Sequence, residues 1–377
     1  MPAISVLVKP ASGNCNLNCD YCFYCDESAK RQTASFGMMS IKTLENVIKN
    51  TLTRAEGFYS IAFQGGEPTL CGLDFFKKAV EFLKIYNKNK VQIQIAIQTN
   101  GYLIDEKWCR FLKENNILTG ISIDGIERIH NAYRHPKDKG NSYKKNIEAT
   151  KLMDKYGVDY NVLTVIHRAV AENIKEIYKD YKAKGYKYLQ FISCLDPLEE
   201  ERGKEEYSLT PEIYGQFLID LFDLWYEDLL KGTPPFIRQF DNYMGIIAGY
   251  PPESCEQNGV CGIAYTVEAN GNVYPCDFYV LDDLKLGNLN YDSLETIDKK
   301  RKEISFVERS YYRPDECLNC KWFKLCRGAC YRNRFTAKDE ELGYGTKGLN
   351  YFCKAYKRFF DERFDKLLEL TNYVMGR

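Results

Sequence analysis

The chain has 377 residues, 45% of them apolar, and its 52 Lys+Arg balance 52 Asp+Glu to a formal net charge of zero. That length suits one barrel plus an extension, and the neutral balance gives no global basic field to draw in nucleic acid. The N-terminal MPAISVLVKPAS carries no long apolar run and no segment nears membrane-spanning length, so a cytoplasmic protein without signal peptide or membrane anchor is expected.

The first predicted strand is Ile4–Lys9. Directly after it stand Cys15, Cys19 and Cys22 in C-x3-C-x2-C spacing. Three thiolates hold three irons of a cubane cluster and leave the fourth open to a small molecule. Half of a zinc site is the competing reading, since tetrahedral sulfur suits zinc too. The chain has fifteen cysteines but only three histidines, none paired at helical ligand spacing, so any metal chemistry is sulfur-ligated.

To about residue 230 the chain alternates strands and helices. Further strands are expected at Tyr59–Gln64, Val91–Gln98, Leu118–Ile123, Asp159–Val165 and Tyr188–Ser193. Helices are expected at Ile41–Ala55, Leu73–Asn87, Glu106–Glu114, Tyr143–Tyr156, Asn173–Lys184 and Pro211–Lys231. Such alternation gives a parallel sheet under covering helices. Periodicity alone does not separate a barrel from an open doubly wound sheet.

In these sheets chemistry gathers at the C-terminal strand ends. The second strand ends in Gln64-Gly65-Gly66-Glu67-Pro68. Two glycines let backbone approach a ligand, and bare carbonyls with Glu67 accept from an ammonium group. A plain turn is the alternative. The third strand ends in Gln98-Thr99-Asn100-Gly101 and the fourth in Ser122-Ile123-Asp124-Gly125, both compatible with ordinary turn chemistry. Arg134 reads equally as a carboxylate fork or a solvated charge. The sixth strand runs into Cys194-Leu195-Asp196-Pro197.

Gly232-Thr233-Pro234-Pro235 marks a boundary, giving domains 1–234 and 235–377. Beyond it lie eight cysteines: Cys255, Cys261, Cys276, Cys317, Cys320, Cys326, Cys330 and Cys353. Eight thiolates make two complete four-thiolate sites, as iron–sulfur clusters or as zinc knuckles. Spacing alone groups Cys330 with Cys317, Cys320 and Cys326. Asp277 follows Cys276, and is either a turn cap or a carboxylate able to take a proton. Cys109 reads as a small buried hydrophobe; Cys25, Cys71 and Cys194 read the same way, with a place near the site as the alternative because each follows a motif stretch. A last amphipathic helix spans Tyr356 to about Leu370.

The three-cysteine loop with Tyr21 before its last cysteine, and the Gly-Gly-Glu run, resemble those of the radical S-adenosylmethionine (radical SAM) enzymes. The Cys-rich tail resembles their SPASM extension. The Lys9-Pro10-Ala11-Ser12 start, Ala62–Leu70, the Cys-Leu-Asp-Pro run and Tyr274–Leu281 narrow the resemblance to anaerobic sulfatase-maturating enzymes, over nearly the full length. Ile126 and Ala329 depart from the family pattern, where a proline and a glycine are more common.

The resemblance implies a partial (β/α)6 barrel with a SPASM-type extension. It implies three [4Fe–4S] clusters: a SAM-binding one on Cys15, Cys19 and Cys22, and two auxiliary ones. The first auxiliary set is Cys255, Cys261, Cys276 and Cys330; the second is Cys317, Cys320, Cys326 and Cys353. SAM is implied to meet Tyr21, Gln64, Gly65, Gly66 and Glu67, with Ser122 and Arg134 at its ribose and carboxylate and the Leu195 backbone at its adenine. Tyr24 and Gln64 are expected near the substrate.

The implied reaction is oxidation of a Cys or Ser in a sulfatase peptide, Cys/Ser-x-Pro-x-Arg, to Cα-formylglycine. A 5′-deoxyadenosyl radical takes a β-hydrogen, Asp277 takes the thiol or hydroxyl proton, and an auxiliary cluster takes the electron. A flavodoxin or ferredoxin is the implied donor, and an anaerobic cytoplasm the setting. The alternative is a SPASM enzyme that crosslinks a small precursor peptide, though no peptide-docking segment precedes Cys15. A plain iron–sulfur carrier has no use for a three-cysteine site beside Gly65-Gly66-Glu67.

Overall fold

The computed structural model describes residues 3–198, 201–334, 338–339, 343–344 and 348–374. Its strands up to residue 334 are, in chain order, β1 (Ile4–Lys9), β2 (Leu17–Cys19), β3 (Phe58–Phe63), β4 (Gln92–Thr99), β5 (Leu118–Ser122), β6 (Arg134–Pro136), β7 (Tyr160–Ile166), β8 (Tyr188–Ser193), β9 (Phe236–Ile237), β10 (Tyr265–Glu268), β11 (Asn272–Tyr274) and β12 (Gly287–Asn288). The helices expected between the first strands form at Ile41–Leu52, Leu73–Tyr86, Glu106–Glu114 and Ser142–Tyr156. Their starts are fixed by capping side chains: Ser40, Asp105 and Asn141 accept from the amides of Thr43, Trp108 and Lys144. Gly157 closes the last of them in the left-handed conformation.

Two compact units emerge, and each draws segments from both sides of residue 234. The first holds residues 1–123, 130–161 and 263–305; the second holds 124–129, 162–262 and 306–377. In the first, β1, β3, β4 and β5 run parallel, with Val8, Ile61, Phe63, Ile97 and Ile121 in the core. On the other edge of β1 a distant strand joins: β10 pairs parallel to it, and β11 and β12 follow antiparallel. No strand is expected from the sequence beyond residue 234, so this return was not anticipated. Nothing in a four-residue strand announces that its partner lies some 260 residues away.

In the second unit β7, β8 and β9 are parallel. Helices Pro211–Leu230 and Cys353–Val374 bury an aromatic core of Phe222, Trp225, Phe240 and Phe359. The last helix is longer than the expected Tyr356–Leu370 and begins at Cys353 itself.

The β1–β10 pairing sets Lys9 level with Glu268. Both are buried, with Lys9 Nζ 3.5 Å from a Glu268 oxygen and 3.5 Å from Glu27 Oε2. Arg31 adds a 2.7 Å bond to the same Glu268 oxygen. Burial pushes Glu268 up, but Lys9 and Arg31 together hold it below the usual range. Glu27 goes the other way: burial drives its carboxyl up to about 8, against the pull of Lys9. The folded state therefore keeps a proton on Glu27 that the unfolded chain has released, and this share of stability is lost as pH rises from the ordinary carboxyl range to about 8. Urea midpoints measured between about pH 5 and about pH 8 should fall for the wild type and fall less for Glu27→Gln. Equal slopes would refute the assignment.

Candidate active site

The three-cysteine loop is held from two sides. β2 and β6 pair antiparallel, setting Cys19 opposite Arg134. From the other side, the Glu67 amide donates to the Asn14 carbonyl at 2.8 Å. Gly66 sits at φ +56°, and a Cβ there would strike that same Asn14 carbonyl. Gly65, at φ +98°, lies against the Lys9 side chain. The two glycines thus serve first to let the Gly-Gly-Glu loop close on the cysteine loop.

Glu67 is fully buried, and its carboxylate is engaged by the protein. Oε1 accepts from the Thr69 amide (3.0 Å), the Thr69 hydroxyl (2.5 Å) and the Thr99 hydroxyl (2.7 Å). Oε2 accepts from the Asn100 amide at 2.7 Å. Burial pushes this carboxyl up while those donors pull it back. The side chain expected to receive an ammonium group thus also clasps β3 to β4. Asn100 extends the clasp, its Nδ2 donating to Asn16 Oδ1 at 2.7 Å with Cys15 Sγ 3.6 Å away. Its place in a Gln-Thr-Asn-Gly turn gave no sign of this.

Arg134 is buried, so the solvated reading fails. Its guanidinium lies over the Tyr21 ring at 5.6 Å and bears electrostatically on Cys22. Ser122 is held by Gln98 Nε2 (3.1 Å) at its hydroxyl and by Asn146 Nδ2 at its carbonyl. Cys22 accepts from the Cys25 thiol, which holds it below the usual thiol range, while burial pushes Cys15 up to about 11.

Asp277 meets Tyr24 and Gln64 in the first unit. Its Oδ2 accepts from the Tyr24 hydroxyl at 2.7 Å and from Gln64 Nε2 at 3.2 Å, and Gln64 also donates to Tyr24 at 2.8 Å. Its Oδ1 is shut off from solvent with no hydrogen-bond partner among the described residues. Burial pushes the carboxyl up, tempered by Lys9 and Tyr24. The result is a carboxylate oriented through one oxygen and open to a proton on the other. No backbone amide among the described residues bonds it, as a turn cap would require.

In the second unit the thiols fall into two groups. Cys317, Cys320, Cys326 and Cys353 line one cavity with Trp322 and Tyr356. Cys330 instead interacts with Cys255 and Cys261. The fold thereby separates Cys330 from its sequence neighbours. Among the described residues no three His, Cys, Asp or Glu side chains form a ready-made metal-ion site. Leu195 is half-buried beside Asp196, whose oxygens accept from Gly203 and Ser208. Of the remaining cysteines, Cys109 and Cys194 are buried; Cys71 lies 3.6 Å from Met38 Sδ, and Cys25 is exposed.

A test of the loop closure is Gly66→Ala, which forces the left-handed region at about 1–2 kcal/mol before the collision with Asn14 is added. Urea denaturation should show at least that loss, with less iron retained on the three-cysteine loop.

Comparison with known proteins places these features. Residues 10–187 match the radical SAM superfamily model, and residues 259–321 match the SPASM iron–sulfur cluster-binding domain. A cysteine-type anaerobic sulfatase-maturating enzyme of Clostridium perfringens is 44% identical over 99% of this chain and 100% of its own length. A serine-type enzyme of Bacteroides thetaiotaomicron is 33% identical, over 94% of this chain and 88% of its own. The solved structure of native anSMEcpe with bound AdoMet and Cp18Cys peptide superposes with a TM-score of 0.93 at 43% identity, covering 99% of this chain and 100% of that one. The fold is accordingly the partial barrel of radical SAM enzymes with a cysteine-rich SPASM region. The chain belongs to the family of anaerobic sulfatase-maturating enzymes.

Proposed function

We propose that this protein oxidises the cysteine of a Cys-x-Pro-x-Arg sulfatase peptide to Cα-formylglycine, with Asp277 as the base. The observation that carries the reading is the Asp277–Tyr24–Gln64 group: one carboxylate oxygen fixed by two donors, the other without a partner and buried. A carboxyl raised by burial is a stronger base than a solvated one, which suits removal of a thiol proton near neutral pH. Preference for cysteine over serine is supported by the higher identity to the cysteine-type relative.

Cys15, Cys19 and Cys22 hold the SAM-binding [4Fe–4S] cluster in this reading. Cys317, Cys320, Cys326 and Cys353 hold a second, and Cys255, Cys261 and Cys330 a third, with Cys276 its fourth ligand on the family pattern alone. When bound, these groups and SAM supply the one-electron cleavage, the radical that removes the β-hydrogen and the acceptor for the remaining electron. The protein places the reactants. Arg134 and Ser122 orient SAM, the Leu195 backbone meets its adenine, and Glu67 keeps the Gly65–Gly66 carbonyls in place. Functionally the chain divides into the barrel, 1–234, and the SPASM domain, 235–377. The electron donor is a flavodoxin or ferredoxin of an anaerobic cytoplasm. No helix among the described residues is long and apolar enough to cross a membrane.

Mass spectrometry of a Cys-x-Pro-x-Arg peptide, incubated anaerobically with reconstituted enzyme, SAM and reductant, tests the proposal. Formylglycine should form, and Asp277→Asn should slow it by at least about 10²-fold while 5′-deoxyadenosine is still made. SAM cleavage with an untouched peptide would refute the substrate. Unchanged turnover in the variant would refute the base.

A further inference from the structure

Arg301 is the most conspicuous unanswered charge in the first unit. It lies on the helix Leu294–Glu303 and is 3% exposed. Nε, Nη1 and Nη2 are all buried without a hydrogen-bond partner among the described residues. Its nearest counter-charge, Asp298 Oδ1, is 3.8 Å from Nε, beyond hydrogen-bond range. Both oxygens of Asp298 accept from the Tyr265 hydroxyl instead, at 2.9 and 3.0 Å. The guanidinium stacks over the Tyr265 ring, 5.0 Å from its centroid. A stacked ring and a long ion pair to Asp298 leave the guanidinium nitrogens without a hydrogen-bond acceptor within range among the described residues, which a buried cation rarely tolerates.

The register says what lies beside it. Thr266 pairs with Tyr274 and Val267 with Val273, so Tyr265 stands level with Pro275, one residue before Cys276. Arg301 is close enough to Cys276 to feel its charge. Sulfur atoms of an iron–sulfur cluster are hydrogen-bond acceptors, and such bonds and nearby charge set its potential.

We propose that Arg301 donates to the sulfur atoms of the auxiliary cluster held by Cys276 and raises that cluster's reduction potential, easing uptake of the substrate's electron. The inference rests on Cys276 being a cluster ligand, as proposed above. A cation beside the cluster favours the reduced state, which carries one more negative charge. Removing it shifts the couple toward oxidation without touching a ligand.

The test is an EPR-monitored redox titration of the reconstituted holoenzyme, with iron analysis. Cys276→Ala identifies the signal: it should lose that cluster's iron and spectrum, and retention of both would overturn the ligand reading on its own. Arg301→Gln should keep full iron yet hold the electron at least tenfold less tightly at that cluster, about 59 mV for a one-electron couple. Arg301→Lys keeps the charge but loses the fork, and should shift the same signal the same way by less. It decides the matter if the glutamine variant does not fold. Full iron with no shift at the Cys276-dependent signal would overturn the proposal.

Discussion

The hydrogen bond from the Glu67 amide to the Asn14 carbonyl is the contact on which the rest of the first unit's site depends. It brings the end of β3 against the loop that carries Cys15, Cys19 and Cys22. The approach is so close that only glycine fits at position 66. Glu67 then spends its carboxylate on Thr69, Thr99 and Asn100, locking β3 to β4. Asn100 returns to the cysteine loop through Asn16. Three loops that converge only at strand ends are thus joined by hydrogen bonds, and fixed placement is what a radical reaction asks of the residues that hold its reactants.

Buried charge organises the neighbouring wall. Lys9 and Arg31 face Glu27 and Glu268, and Lys9 also bears on Asp277. With a proton on Glu27, Glu268 is the carboxylate that faces both cations. Ion pairs this deep contribute little net stability by themselves, because desolvation offsets attraction. They do specify geometry. The β1–β10 pairing sets Lys9 beside Glu268, and the chain that leaves β11 then delivers Asp277 to Tyr24 and Gln64.

Much of this was legible in the sequence where the signal is local. The strands at β1 and β8 and the helix Glu106–Glu114 fall where alternation and amphipathic spacing put them. The three-cysteine loop and the Gly-Gly-Glu run stood out as spacing and motif, while Asp277 was singled out only by the family resemblance. The bonds from Thr69, Thr99 and Asn100 to Glu67 were not legible, because those donors meet it only at the strand ends. Arg134 could not be judged buried or exposed, since burial belongs to the fold and not to the residue.

By itself the sequence determined the candidates: clustered thiols, a Gly-Gly-Glu turn and the family resemblance that singles out Asp277, since side-chain type and near-neighbour spacing are properties of the chain alone. The tertiary structure decided the groupings. Cys330 keeps company with Cys255 and Cys261 and not with Cys326, four residues before it, and Asp277 reaches Tyr24 across 253 positions of chain. Glu27 and Arg301 became notable only once burial removed water from around them. Such contacts depend on strand register and on desolvation, and neither is written in any short window of residues.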